Sequence, residues 1–357
     1  MQSCHKAEYQ FNTILAKVEE RKIPLWAHLD LTYRCNQDCI HCYCQGLSES
    51  FPSNQKELST GEIFSLLDQL SEVGSLYLTL SGGEVFLRRD FFKIARYARK
   101  KNFALNIFTN ATLIDDTCAR RIAELSPLCV EMSVYGSTAA VHDAITRRPG
   151  SFEELCRAVK SLKDNHLKVV LKSAIMNGNV HQEKEIEEFC YQIGAQAYRF
   201  TMELSCKNDG SPEPKQYQIN EGQIRSMIAR ANIPLSEKKH GYWDKPLEKL
   251  LCGTGVIGCY ISPYGDVYPC IQLLIPMGNI RKMSFREIWQ SPSALRKELD
   301  NLRTYADMPD CLDCRYIRFC KKCLGLAYLE KKDVKACYDT LRCISKVDYE
   351  LYNDRIS

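Results

Sequence analysis

The stretch "YRCNQDCIHCYC", from Tyr33 to Cys44, crowds four cysteines into one short loop. They are Cys35, Cys39, Cys42 and Cys44. A disulfide staple, a zinc knuckle, a redox pair or an iron–sulfur cluster would each explain such crowding. Each of these alternatives predicts something different elsewhere in the chain.

The bulk composition narrows the class of protein. The chain has 357 residues, of which 45% are hydrophobic, so it can bury a substantial core. Its net charge of +4 is too mild to indicate nucleic acid or a membrane surface as a partner. We see no signal-peptide pattern, and no apolar run approaches the roughly 20 residues that span a bilayer. We therefore expect a cytoplasmic protein.

Nineteen cysteines are unusual for such a protein. Cytosolic thiols are kept reduced, so a disulfide framework is not expected and clustered cysteines favour metal or cluster binding. Isolated cysteines such as Cys118 and Cys190 sit in apolar patterns. We expect these to be small buried hydrophobic residues.

A regular alternation of strand and helix patterns follows the cysteine loop. Strands are predicted at 26–32, 76–80, 104–109, 130–134, 168–174 and 197–203. Helices are predicted between them, with capping boxes at Ser59 with Glu62 and at Ser151 with Glu154. This rhythm is typical of βαβ units and a parallel sheet. Six units cannot close an eight-stranded barrel, so the predicted fold is α/β, an open, partial (β/α)6 barrel.

The alternation of strand and helix patterns ends at about residue 205. We predict an N-terminal extension at 1–25, the barrel at 26–205, a linker and bridging helix at 206–250, and a cysteine-rich domain at 251–357. The linker begins with the polar, Gly- and Pro-containing segment "KNDGSPEPK".

The first cysteine loop has the spacing C-x3-C-x2-C, followed closely by Cys44. Structural zinc sites usually use four protein ligands, whereas three thiolates leave one iron of a four-iron cluster open. Cys44 is an alternative ligand, although three cysteines already complete the spacing. The loop follows the first strand, and "SGGE" (81–84) follows the second, at the edge where parallel sheets gather ligands. Gly82 and Gly83 permit close backbone approach, and Glu84 suits an ammonium group.

These motifs together resemble the radical S-adenosylmethionine (radical SAM) superfamily. The resemblance rests on C-x3-C-x2-C with Tyr43 beside it and on the Gly-Gly-Glu loop one strand later, and it covers about 26–203. It implies that Cys35, Cys39 and Cys42 hold a four-iron four-sulfur cluster. The open iron would be chelated by the amino and carboxylate groups of S-adenosylmethionine.

The resemblance also implies how the chain contacts S-adenosylmethionine. Glu84 would bind the methionine amino group and Tyr43 would lie near the adenine. Ser133 would meet the ribose or the carboxylate, and Arg147 or Arg148 the carboxylate. The implied cofactor-binding residues are Tyr43, Gly82, Gly83, Glu84, Ser133, Arg147 and Arg148.

The C-terminal region carries a second cysteine field. "CLDCRYIRFCKKC" gives C-x2-C-x5-C-x2-C, a middle gap too short for a zinc ribbon. The pattern resembles the SPASM extension of radical SAM enzymes, which implies two auxiliary iron–sulfur clusters. The first would use Cys252, Cys259, Cys270 and Cys323. The second would use Cys311, Cys314, Cys320 and Cys337, with Cys343 as the alternative to Cys337.

The implied reaction begins when an external one-electron reductant reduces the first cluster. S-adenosylmethionine is then cleaved to a 5′-deoxyadenosyl radical, which removes hydrogen from a substrate. The resemblance favours a ribosomally made peptide as that substrate, its leader recognised by the barrel or by a separate small protein. Alternatives are sulfatase maturation and haem biosynthesis. An iron–sulfur electron carrier or redox sensor is a non-enzyme alternative, but it would need no Gly-Gly-Glu loop.

Overall fold

The computed structural model describes residues 17–44, 56–230 and 251–354. The strands are β1 (Trp26–Asp30), β2 (Tyr77–Ser81), β3 (Ala104–Thr109), β4 (Cys129–Ser133), β5 (Val169–Ala174), β6 (Ala197–Thr201), β7 (Gly258–Ile261), β8 (Asp266–Tyr268) and β9 (Gly278–Asn279). The described α-helices between β1 and β7 are α1 (Thr60–Glu72), α2 (Phe91–Lys100), α3 (Asp116–Glu124), α4 (Ala139–Thr146), α5 (Ser151–Asp164), α6 (Glu183–Gln192) and α7 (Glu221–Arg230). The C-terminal helices are α8 (Phe285–Gln290), α9 (Ala294–Asp300), α10 (Pro309–Leu312), α11 (Leu324–Lys331) and α12 (Asp339–Asp354).

The strands form one sheet in the order β6-β5-β4-β3-β2-β1-β7-β8-β9. Strands β1 to β6 pair in parallel, and β7 also runs parallel to β1. Strands β8 and β9 extend the sheet as antiparallel neighbours. Because β6 and β9 end the sheet, it does not close on itself. The predicted open, partial barrel of parallel strands is confirmed.

The two faces of this sheet differ in polarity. Residues such as Leu29 and Leu80 are fully buried in the hydrophobic core. One face of α1, which includes Leu66 and Leu67, is buried in the same core. Each leucine buried in this way stabilises the fold by about 1.5–3 kcal/mol. Successive strand residues point to opposite faces, so the alternating polar residues lie on the face of the sheet opposite these leucines. That side holds the cavity described below.

One of the two predicted capping boxes is present. Ser59 begins α1 by accepting from the Glu62 N–H, and Glu62 accepts from the Ser59 N–H. The second prediction is wrong, because Gly150 at φ +83° precedes α5 and Ser151 lies inside the helix. The Ser151 hydroxyl instead donates to Asp143, 2.8 Å away.

The cysteine-rich region is joined to the barrel through the sheet itself. Strand β7 pairs with β1 in the register Leu29 to Ile261. The predicted bridging helix is present as α7, which packs on α12. Residues 231–250 of the predicted linker and 1–16 of the N-terminal extension lie outside the described residues, and the domain boundaries stay predictions. Among the helices that the structure describes, none is long and apolar enough to cross a membrane.

Candidate functional site

The cysteine loop and the glycine loop are locked together at the C-terminal ends of β1 and β2. The Gly83 N–H donates to Thr32 O at 2.8 Å, and the Glu84 N–H donates to Arg34 O at 2.9 Å. A Cβ on Gly82 would lie 2.2 Å from Thr32 O, and one on Gly83 would lie 2.4 Å from Arg34 O. Only glycine allows this approach, as the sequence predicted.

The Glu84 carboxylate is completely buried. It accepts from the N–H groups of Phe86 at 3.1 Å and Asn110 at 2.8 Å, and from the Thr109 hydroxyl at 2.9 Å. Burial raises the pKa of Glu84, and these donors oppose that rise. The carboxylate therefore fastens the glycine loop to the end of β3. Its contact with a methionine amino group stays a prediction, since the carboxylate does not line the cavity.

A cavity of about 660 Å³ opens beside the two loops, and Cys35, Cys39 and Cys42 all line it. Burial raises the pKa of Cys39, and the neighbouring thiols of Cys42 and Cys35 raise it further. Three thiolates so close together would repel one another unless a positive metal centre compensated them. No group of three His, Cys, Asp or Glu side chains in the described ranges is placed to hold a single metal ion, although all three cysteines line the same cavity. This donor set fits an iron–sulfur cluster.

Cys44 also lines the cavity, but it packs against Tyr33 and Tyr264 in the wall. Burial is the main reason that its pKa lies well above the ordinary value. Cys44 thus lies in the cavity wall, and the interpretation that it is not a cluster ligand stays a prediction.

Two cavity residues that sequence reasoning missed are Gln37 and His41. Both line the cavity, and their side-chain atoms Nε2 and Nδ1 are buried without a hydrogen-bond partner in the part of the chain that the structure describes. Burial lowers the pKa of His41 to about 4, so its ring is neutral at pH 7. Buried polar atoms are normally satisfied, so these two fit a cavity that receives a polar cofactor. The signal was available, because both residues lie inside the cysteine motif.

Asn110 is a third residue that the sequence did not single out. Its side-chain amide donates to Cys35 Sγ at 3.6 Å and to Asn36 Oδ1 at 2.8 Å. It follows β3 directly, at the same edge of the sheet as the two loops. Hydrogen bonds to cluster-ligating sulfurs tune iron–sulfur centres, so Asn110 is well placed for that effect.

Of the other residues predicted to contact S-adenosylmethionine, Tyr43 and Ser133 line the cavity, whereas the two arginines do not. Tyr43 and Ser133 both line the cavity, and Ser133 ends β4 opposite Lys172 of β5. The backbone carbonyl of Tyr43 accepts from the Asn208 N–H at 2.9 Å. The roles of Tyr43 and Ser133 toward S-adenosylmethionine stay predictions, but the structure brings both residues to the cavity.

The two arginines hold the cysteine loop from outside the cavity. Arg147 pairs with Asp38 at 3.1 Å, and its side chain is half exposed. Arg148 pairs with Glu154 at 3.0 Å and donates to Asn36 O at 3.2 Å. Neither arginine lines the cavity, so the structure does not bring the predicted carboxylate contact together.

In the C-terminal region, Cys252, Cys270 and Cys323 form one group. Burial raises the pKa of Cys323 to about 12, and the neighbouring thiols of Cys270 and Cys252 contribute to the rise. Cys252 also raises the pKa of Cys270, after the larger effect of burial. The Thr254 hydroxyl lies 2.9 Å from Cys252 Sγ.

Cys259 does not join this group, contrary to the prediction. It lies in the middle of β7 opposite Ala27 and is buried in the main hydrophobic core. Burial alone raises its pKa, and no cysteine acts on it. The next residue, Tyr260, points to the other face of the sheet, where its hydroxyl donates to Asp30 at 2.8 Å. Strand alternation thus turns Cys259 toward the helices.

The second group unites the other four predicted cysteines. Burial raises the pKa of Cys311, and Cys314 and Cys337 raise it further. Burial also raises the pKa of Cys320 to about 11, and Cys337 and Cys311 again contribute. Cys343 lies elsewhere, in a cluster around α7 and α12. The structure therefore gathers Cys337 and not Cys343, while the role of each cysteine as a ligand stays a prediction.

An open parallel sheet with a three-cysteine cavity at its C-terminal edge defines a class of protein. The model of the radical SAM superfamily matches residues 29–191, and that of the SPASM iron–sulfur cluster-binding domain matches residues 252–323. The chain belongs to the radical SAM superfamily and is an enzyme with a SPASM domain. These two matches confirm the predicted cofactors, which are iron–sulfur clusters and S-adenosylmethionine.

Individual relatives and structures extend the comparison. The chain is 29% identical to the AdoMet-dependent heme synthase of Methanosarcina barkeri, over 85% of this chain and 92% of that protein. It is 28% identical to the mycofactocin maturase MftC of Mycolicibacterium smegmatis, over 84% and 77%. The fold is similar to that of Streptococcus suis SuiB bound to the precursor peptide SuiA, with a TM-score of 0.68, 15% identity and coverage of 94% and 80%.

Proposed function

We propose that the enzyme cleaves S-adenosylmethionine reductively and removes hydrogen from a ribosomally made peptide, which becomes crosslinked or otherwise modified. In this proposal Cys35, Cys39 and Cys42 hold the cluster that binds S-adenosylmethionine. The observation that supports a peptide substrate is the open edge strand β6, which pairs with β5, the strand whose Lys172 lines the cavity. An external one-electron reductant must supply the electron.

The chain's own residues shape the reaction chamber. When bound, the cluster and S-adenosylmethionine supply a 5′-deoxyadenosyl radical as the hydrogen-abstracting species. Gly82 and Gly83 let the backbone approach the cysteine loop closely. The Glu84 carboxylate stabilises that arrangement by accepting from the Asn110 N–H. Tyr43 and Ser133 wall the cavity in which S-adenosylmethionine would lie. Fixed walls matter because a badly placed C–H would otherwise react.

The peptide proposal depends on access from the side. Strand β6 pairs only with β5 among the described strands, so one row of its backbone groups is unpaired. Arg199 of β6 stands in register with Lys172, which lines the cavity. Phe200 next to it is 45% exposed. An extended peptide can add to such an edge by backbone hydrogen bonds and present a side chain to the cavity.

The comparisons with known proteins support a peptide substrate in general, without identifying a particular peptide. A relative with 28% identity is a maturase. SuiB, whose fold is similar, has a structure with its precursor peptide SuiA bound. We propose a reducing, cytoplasmic location, which would keep the proposed cluster-ligating cysteines reduced. A separate leader-binding protein remains one option for delivering the peptide.

The first experiment tests the cluster assignment. Wild-type enzyme and the triple variant Cys35→Ala, Cys39→Ala, Cys42→Ala are reconstituted anaerobically and incubated with S-adenosylmethionine and dithionite. We expect 5′-deoxyadenosine from the wild type only, while the variant keeps most of its auxiliary iron. Continued cleavage by the variant would defeat the assignment.

The second experiment tests the peptide route. Reduced enzyme is incubated with a panel of short precursor peptides, and mass changes are recorded. Phe200→Lys places a charge on the β6 edge, which disfavours strand addition. We expect about tenfold less peptide conversion, a loss of about 1.4 kcal/mol, with unchanged formation of 5′-deoxyadenosine when no peptide is present. Tyr191→Lys, at a residue 51% exposed on α6, is the matched control. Equal conversion by both variants would reject docking at β6.

A haem-biosynthesis-type substrate is a second candidate, favoured by a specific observation. Glu131 pairs with Lys172 and lies 3.8 Å from Arg199, so two cations share one carboxylate at the cavity wall. Lys172 Nζ also stands 3.8 Å over the Phe108 ring. The surplus positive charge suits the carboxylates of a tetrapyrrole, and heme synthases are among the relatives. Conversion of a carboxylate-bearing tetrapyrrole, with none of the peptides altered, would establish this candidate instead.

A further inference from the structure

A buried lysine lies within the second C-terminal cysteine group. Lys322 stands between Cys320 and Cys323 in the sequence and is only 5% exposed. Its Nζ donates to the carbonyl oxygen of Lys335 at 2.8 Å and also to that of Ala336. Ala336 directly precedes Cys337, so the ammonium is held against the segment that carries the group's last cysteine.

The backbone of Lys322 is fixed as firmly as its side chain. Its N–H donates to the Tyr305 hydroxyl oxygen at 3.2 Å, and that hydroxyl donates to Cys320 O at 2.7 Å. Tyr305 is itself buried. The lysine is therefore anchored at both ends and does not reach solvent as lysines usually do.

Within the described part of the chain, the charge of this ammonium has no carboxylate partner. No described carboxylate forms an ion pair with Lys322, and both acceptors of its Nζ are neutral carbonyls. The two carbonyls belong to Lys335 and Ala336, which directly precede Cys337, so the buried ammonium lies beside the segment that carries a cysteine of this group. Burying a cation without a counter-charge costs several kcal/mol. Neutral thiols cannot offset that cost, whereas cysteines bound to iron are thiolates.

We propose that Lys322 is a positioning residue whose ammonium acts as the counter-charge of the iron–sulfur cluster held by Cys311, Cys314, Cys320 and Cys337, and so raises the reduction potential of that cluster. This inference rests on the ligand assignment proposed for the four cysteines. Reduction adds one electron to an already negative cluster, and a nearby positive charge favours the more negative state. Net charge around a cluster is among the factors that set its potential.

The test is a potentiometric titration of the anaerobically reconstituted holoenzyme, followed by electron paramagnetic resonance. The signal of this cluster is identified as the one that disappears in Cys337→Ala. In Lys322→Met we expect the ratio of reduced to oxidised cluster at a fixed potential to fall about tenfold, which is about 59 mV for one electron. Lys322→Arg keeps the charge and should stay within about twofold of the wild type.

Lys321→Met is the matched control, since Lys321 is the exposed neighbour of Lys322 and water and salt screen its charge. A Lys322→Met enzyme with full iron and the titration curve of the wild type would overturn the proposal. Should Lys322→Met lose this cluster's iron while Lys322→Arg keeps it, the counter-charge is needed and the proposal is supported. Equal iron loss in both variants would show that shape matters and not charge, and would overturn it. If Cys337→Ala removes no signal, the ligand assignment fails instead.

Discussion

Replacing Gly83 by alanine tests whether the two loops of the cavity meet as the structure shows. The new Cβ would lie 2.4 Å from Arg34 O and 2.7 Å from Tyr33 O, whereas ordinary contact begins at 3.4 Å. The loops would have to part by about 1 Å, and overpacking of this kind costs about 1–3 kcal/mol. The hydrogen bond from the Glu84 N–H to Arg34 O would weaken, for roughly another 1 kcal/mol. We therefore expect the free energy of unfolding of Gly83→Ala to be about 2–4 kcal/mol lower than that of the wild type.

Gly61→Ala is the matched control for this prediction. Gly61 lies in the first turn of α1, and a Cβ there would meet nothing within 4 Å. Alanine in a helix is favoured over glycine by about 0.5–1 kcal/mol, so this variant should be slightly more stable than the wild type.

Anaerobic thermal unfolding followed by circular dichroism separates the two variants. At about 2 °C per kcal/mol for a large domain, Gly83→Ala should unfold about 4–8 °C lower and Gly61→Ala about 1–2 °C higher. Calorimetric titration should also show weaker binding of S-adenosylmethionine to Gly83→Ala, since both loops border its cavity. If Gly83→Ala unfolds at or above the temperature of Gly61→Ala, the close approach of the loops is refuted.

Five further substitutions test Glu84 and the C-terminal cysteines. Glu84→Gln turns an amide N–H₂ toward a backbone donor, so we expect a loss of about 1–3 kcal/mol, measured as a lower unfolding temperature; an unchanged temperature would contradict the buried arrangement. Cys259→Ala should keep all iron and sulfide in anaerobic quantitation because Cys259 lies in the hydrophobic core, whereas Cys270→Ala should lose iron. Likewise Cys343→Ala should keep its iron and Cys337→Ala should lose it, and the opposite result would show that the two cysteines exchange roles on cluster binding.

The sequence was sufficient wherever the information was local. Strand and helix periodicity predicted six parallel strands, because hydrophobic alternation reflects burial on each element. Cysteine spacing and the Gly-Gly-Glu loop predicted one edge of the sheet as the site, because parallel strands deliver the loops that follow them to a common edge. Gln37 and His41 were within reach of the same reasoning, as they lie inside the cysteine motif.

Only the tertiary structure decided which distant groups meet. Spacing alone could not separate Cys337 from Cys343, since the choice depends on how α11 and α12 fold back onto the cysteine field. Spacing could not show that Cys259 faces the hydrophobic core either, because a strand residue's face depends on its register with a partner strand, and β7 pairs with β1. The unmatched charge of Lys322 became visible only when its burial was known. Local patterns fix the elements of a chain, whereas contacts between remote residues depend on the packing of the whole molecule.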